Sequence, residues 1–167
     1  MQLAKYLCGF GNVIYDSLEE GTSLSFQKSL KRHGMEDTRK RLMVLDREPM
    51  DQLSERLSRK KSAPIVIIDS FQYSGLSYQA YCEMKEHHSN KLLIFISHAE
   101  GMKPEGRPAK KVEYDADVKI FVSCFKAMCK SRFLDHPGEP ITVWEEGAAK
   151  ALLDEGQKSD EAQEPPL

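Results

Sequence analysis

Pro64-Ile65-Val66-Ile67-Ile68-Asp69-Ser70 is a short apolar run, rich in β-branched residues, that ends in a carboxylate followed by a hydroxyl. A run of this length and composition reads as a central strand buried on both faces, delivering an acid to the edge of a sheet. Outward from it the same alternation repeats. Toward the amino end, residues 41–46 (RLMVLD) form a second strand, followed by a helix over 49–60 that sets Met50, Leu53 and Leu57 on one face. Before them a strand over 12–17 (NVIYDS) leads into a helix over 24–33, capped by Ser23 or Thr22 and closed by Gly34. Leu3, Tyr6, Leu7 and Phe10 stand at helical spacing and stop at Gly9 and Gly11, the end of a further helix. Toward the carboxyl end, residues 78–88 read as a helix, 91–97 (KLLIFIS) as a strand and 101–111 as a Pro/Gly/Lys-rich loop.

Strands alternating with helices predict an α/β fold with a mainly parallel sheet and flanking helices. After residue 115 the pattern changes. Residues 116–123, 126–133 and 141–145 are closely spaced strands joined by tight turns, one of them His136-Pro137-Gly138, so the fold gains a C-terminal antiparallel extension. Residues 1–148 read as the core, and 149–167 as a short helical end and an acidic, disordered tail that finishes in Pro165-Pro166.

Composition narrows the function classes. A length of 167 residues suits one domain. With 24 basic against 26 acidic side chains the formal net charge is −2, so the chain as a whole does not steer toward nucleic acid or an anionic membrane. Any basic surface must be local. Cys8, Cys82, Cys124 and Cys129 are widely spaced, with no C-x-x-C and no zinc spacing, and read as small fillers of a reduced, cytoplasmic protein. No apolar stretch approaches the ~20 residues that cross a bilayer, so no membrane partner is expected. The chain contains no G-x-x-x-x-G-K-[ST] run, whose backbone amides and lysine hold phosphates.

Local segments in one order carry a family resemblance. They are Gly11 to Glu20 with its Ser17-Leu18-Glu19, Ile65 to Ser70, Ile94-Phe95-Ile96-Ser97-His98, Gly106-Arg107-Pro108 followed by Tyr114-Asp115-Ala116-Asp117, and Lys130-Ser131-Arg132. Together they resemble the RecA/DnaB/RadA superfamily of ring- or filament-forming ATPases, from just after the phosphate loop to the last core strands. The resemblance implies a RecA-like fold in which Glu19 is the catalytic glutamate and Asp69 the magnesium-side carboxylate of a Walker B strand, beside Ser70. It makes His98 a polar sensor, where the DnaB-like group usually has glutamine. Lys130 and Arg132 become the pair that reaches a neighbouring subunit's nucleotide. ATP and Mg2+ are the implied cofactors, a homo-oligomeric ring or filament the implied assembly, and DNA the implied partner. Met1 falls within the helix that follows the family's phosphate loop. A longer natural product is therefore expected, and weak or no ATP binding by these 167 residues.

The chemistry accounts for the residue types. Phosphoryl transfer to water needs a metal on the phosphates, a carboxylate to orient the water, and positive charge on the leaving oxygens. Each residue also has a plainer reading. Asp69 is also a turn-former or helix cap, Glu19 the solvated start of a loop, and His98 a hydrogen-bonded structural histidine. His87-His88 closes an exposed helix end, where imidazole favours the helix dipole. Arg107, Lys110 and Lys111 are either an ordinary solvated loop or a DNA-facing one. Three functions follow: an ATPase core acting in DNA replication, recombination or repair; a non-catalytic remnant that keeps the fold; and a nucleic-acid-binding module.

Overall fold

Val13 to Ser17 and Ile65 to Asp69 are the two strands on which the molecule is built. In the computed structural model, which describes residues 1–38 and 40–151, they form β1 (Val13–Ser17) and β3 (Ile65–Asp69), paired in parallel with Val13 opposite Ile65 and Ser17 opposite Asp69. β2 (Leu42–Asp46) flanks β1 and β4 (Leu92–Ile96) flanks β3, both parallel, giving the order β2-β1-β3-β4. The expected mainly parallel α/β arrangement with flanking helices is present.

α1 (Gln2–Leu7) precedes β1, and each crossover between strands carries a helix: α2 (Leu24–Arg32), α3 (Met50–Ser58) and α4 (Tyr78–His87). Ser23 accepts a hydrogen bond from Phe26 N at 3.2 Å and Ser77 from Ala80 N at 3.1 Å, so α2 and α4 start on side-chain caps. Successive strand residues face opposite layers. Val13, Tyr15, Ile65 and Ile67 pack with Ala4 and Phe26 on one side, and Ile14, Val66 and Ile68 pack with Leu53, Leu57 and Met84 on the other. Burying each of these side chains contributes about 1.5–3 kcal/mol, so β1 and β3 are the best-anchored backbone in the molecule. β4 is different. Its sequence is wholly apolar, yet its outer edge is unpaired among the described residues, and Leu92 and Ile96 are 49% and 40% exposed.

The expected loop over 101–111 is ordered differently. β5 (Ala99–Glu100) pairs antiparallel with β6 (Lys103–Pro104), and α5 (Arg107–Asp115) follows. Pro108 is tolerated because it lies in the first helical turn, and Ala109 and Val112 bury against Phe71 and Tyr81. Arg107, Lys110 and Lys111 therefore belong to a helix, and Tyr114-Asp115 ends that helix rather than entering a strand.

A second compact unit begins at Asp115. β7 (Val118–Ser123) and β8 (Lys126–Ser131) form an antiparallel hairpin, and β9 (Ile141–Thr142) pairs with β8. The hairpin turns through Cys124 and Phe125, both at positive φ (47° and 59°), the backbone of a two-residue turn that normally selects glycine or asparagine. The Phe125 ring stands edge-on to Trp144 at 4.9 Å. The three strands predicted here are present but shorter: β8 stops before Arg132, and residues 145–151 are helical. The predicted disordered tail lies, from residue 152, outside the described residues.

Candidate functional site

Parallel strands present their carboxyl ends on one edge of a sheet, and that edge is where side chains from different segments meet. Here β1 runs out into Leu18-Glu19, β3 ends in Asp69-Ser70, and β4 is followed by Ser97-His98. The backbone ties the first two together, since Leu18 N and Glu19 N both donate to Asp69 O, at 2.6 and 3.2 Å. The turn after β1 closes at Gly21, where φ is +60° and a Cβ would run into the Arg47 and Asp46 side chains. Thr22 and Arg47 brace it, Thr22 by donating to Asp46 and Arg47 by donating to Glu19 O at 3.0 Å.

Glu19 Oε2 is the hub of the edge. It pairs with His98 Nε2 at 2.8 Å and accepts from Ser70 Oγ at 3.3 Å. His98 Nδ1 lies 3.6 Å from Glu105 Oε2, so the imidazole stands between two carboxylates. Its backbone N–H donates to Gln72 Oε1, and Gln72 in turn donates to Ser97 Oγ and Glu105 O. The hydrogen bond from His98 holds the Glu19 carboxyl below its usual range, and the same bond, with the charges of Glu19 and Glu105, raises the His98 imidazole. Asp69 is engaged elsewhere, with Tyr15 Oη donating to its Oδ2. Burial first, then this bond, push the Tyr15 phenol far above its usual range. α1 starts beside this edge, where burial lowers the Met1 amino group and the Asp69 charge opposes the shift.

The structure thus brings the side chains of Glu19, Ser70 and His98 together, up to 79 residues apart in sequence, and joins Asp69 to them through its backbone carbonyl while its carboxylate bonds Tyr15. Arg107, Lys110 and Lys111 lie on α5, where Lys110 pairs with Glu100 at 3.6 Å and Lys111 stands over the Tyr78 ring at 5.6 Å. Lys130 and Arg132 belong to the second unit. Lys130 is the penultimate residue of β8; Arg132 lies past the strand, pairs with Asp117 at 3.2 Å and donates to Asp115 O at 2.8 Å.

Asp16 escaped the sequence reading. It is fully buried on β1, Oδ1 accepts from Glu48 N at 3.1 Å, and Oδ2 has no hydrogen-bond partner among the described residues. Burial raises its pKa from the ordinary 3.8 to about 6, against the opposing pull of the Glu48 amide. A carboxylate inside a strand that otherwise reads as apolar was the available signal.

Among the described residues no three His, Cys, Asp or Glu side chains are placed to hold a metal together. Mg2+ asks for less, because it keeps several waters and takes one or two carboxylates besides phosphate oxygens. Asp69, whose Oδ1 is not the oxygen taken by Tyr15, would supply one such carboxylate, while the Ser70 hydroxyl is fully buried and donates to Glu19. A family-model scan and a search of curated proteins returned no match to this chain.

Proposed function

We propose that the carboxyl edge of the sheet is the hydrolytic edge of a RecA-like nucleoside-triphosphatase core. The observation that carries this reading is the convergence of Glu19, Asp69, Ser70 and His98 at the ends of β1, β3 and β4. In this reading Glu19 orients the attacking water, Asp69 would hold Mg2+ through its waters, and Ser70, beside it, orients Glu19. His98, between Glu19 and Glu105, senses the charge of the terminal phosphate. Bound Mg2+ supplies charge neutralisation on the phosphate oxygens. Arg132, in an oligomeric ring or filament, offers a guanidinium to a neighbour's nucleotide, a role its pairing with Asp117 holds in reserve.

The reading as a non-catalytic module with the same fold has its own observation. Both carboxylates are already engaged, Glu19 by His98 and Asp69 by Tyr15, and the 167 residues contain no phosphate-loop motif. Without that loop several charge-assisted phosphate contacts of about 1.5–3 kcal/mol each are missing.

Two titrations separate the readings. Calorimetry of the 167-residue chain with ATP and Mg2+ is expected to give no binding tighter than millimolar; micromolar affinity would overturn the account of the missing grip. A chain extended at its amino end by a strand and a G-x-x-x-x-G-K-[ST] loop is expected to hydrolyse ATP. Glu19→Gln should then lower the rate about 100-fold or more, and Arg132→Ala about 1000-fold. An extended chain that binds ATP but whose rate is indifferent to Glu19→Gln leaves the non-catalytic reading.

A further inference from the structure

The amino end of the parallel sheet is as charged as the carboxyl end, with the opposite sign. α3 ends at Ser58, and the chain crosses to β3 through Arg59-Lys60-Lys61-Ser62. This crossing is the common wall of two concavities. One, of about 290 Å³, opens toward the starts of β1 and β2 and adds Lys40, Arg41 and Arg56. The other, of about 550 Å³, opens toward the end of α4 and adds His87, His88 and Lys91.

No Asp or Glu lines either concavity. Arg56 is satisfied by Glu48 at 2.9 Å and Arg59 meets Glu55 at 3.7 Å, but Lys40, Lys60 and Lys61 are exposed and make no ion pair among the described residues. Helix dipoles account for a cation in the last turn of α3 and of α4. They do not account for Lys40, Lys60 and Lys61, which lie beyond the helix ends; Lys91 is held by Ser62 Oγ at 2.7 Å and Ala63 O at 3.1 Å. The local field is positive enough to register on a neighbour: the buried His88 imidazole is held low by burial, then by the charges of His87 and Lys91. In a chain of net charge −2, uncompensated cations on one concave edge call for an anionic ligand.

The lining selects the ligand class. Among the described residues neither concavity has a Phe, Tyr or Trp side chain to stack on a base or to anchor in a bilayer; its rings are the imidazoles of His87 and His88, packed edge to face on each other at 4.6 Å. The surface is recessed rather than flat, and Asn12 and Asn90 add neutral amide donors to the cations. Closely spaced cations with amide donors match a chain of phosphates. We propose that this edge, astride the 59–62 crossing, binds the phosphate backbone of a nucleic acid without reading its sequence. The site is separate from the carboxylate edge and does not depend on nucleotide hydrolysis.

The test is fluorescence anisotropy of the full 167-residue chain with a labelled 20-nucleotide single strand and the matching duplex across a salt series. Binding is expected, with log K falling linearly with log salt. Lys60→Ala/Lys61→Ala should weaken it about tenfold and reduce the slope by about 1.4–1.8, the loss of two phosphate contacts. Its thermal melt should match the parent, since both lysines are exposed. An unchanged affinity and slope in the double variant would overturn the proposal. So would absence of oligonucleotide binding at about 50 mM salt, whether or not the protein then sediments with phosphatidylserine vesicles.

Discussion

At the carboxyl ends of β1, β3 and β4 the polar side chains are cross-linked to one another, whereas at the amino ends of the sheet Arg56 and Arg59 have carboxylate partners and three lysines stand apart. Glu19 is held by His98 and Ser70, and Asp69 by Tyr15, so each acid on that edge has a defined orientation. Lys40, before β2, and Lys60 and Lys61, before β3, line open concavities and make no ion pair among the described residues. An edge built of mutually oriented groups suits chemistry that needs geometry. An edge of loosely held cations suits a polymer that needs only charge. The difference is one of side-chain order along the strand direction, and the two proposals rest on its opposite ends.

The first way to break the comparison is to remove the frame common to both ends. Ile67, buried in the middle of β3, is expected to cost about 2–5 kcal/mol on Ile67→Ala, read by urea unfolding, with both edges lost in one transition. A variant that lost one edge while retaining the other would show that the two ends are independently supported.

A smaller effect isolates the one acid on β1 that lacks a full set of partners. Because burial raises Asp16 from 3.8 to about 6, the folded protein holds its proton across that window, and stability falls as pH rises through it. Asp16→Asn should leave stability unchanged below about pH 4 and raise it by about 1–3 kcal/mol above pH 7, read by thermal melts at both pH values.

The His98–Glu19 pair is smaller still, since both side chains are more than a third exposed and screened by water. His98 is raised, so its contribution is complete below its ordinary 6.5 and fades as pH rises through the raised value. Glu19 is lowered, so its contribution is complete above its ordinary 4.5 and fades as pH falls through the lowered value. The pair is strongest between those values. His98→Gln should flatten a stability maximum of no more than about 1 kcal/mol there, measured by melting from pH 3 to 9. The smallest expected effect sharpens the contrast from outside: Lys110→Ala/Lys111→Ala on α5 should leave oligonucleotide affinity within about twofold, because Lys110 is already paired and Lys111 is stacked.

The parallel sheet was legible because Ile65 to Ile68 and Val13 to Tyr15 are buried on both faces, and such strands read as continuous apolar runs. α5 was not, because Gly106, Pro108 and paired lysines look like loop punctuation; Pro108 happens to fall in the first helical turn, and the buried Ala109 and Val112 are too short a stripe to signal a helix. Of the site, Glu19 and Asp69 were visible as acids at strand ends. The brace between Glu19 and Glu105 through His98 was not, for nothing in a linear reading measures the approach of segments 79 residues apart. The basic edge was hidden more thoroughly. Its cations come from separate segments, around residues 40, 60 and 90, and an equal number of acids elsewhere cancels them in the net charge.

The exposed side of β4 has a consequence for handling the protein. A five-residue run of Leu, Leu, Ile, Phe and Ile offers a free row of amide and carbonyl groups, the template on which a second molecule adds by edge-to-edge pairing. Colloidal stability at high concentration therefore depends in part on this strand. A single lysine gatekeeper in place of Ile96 is the economical way to keep the protein monodisperse.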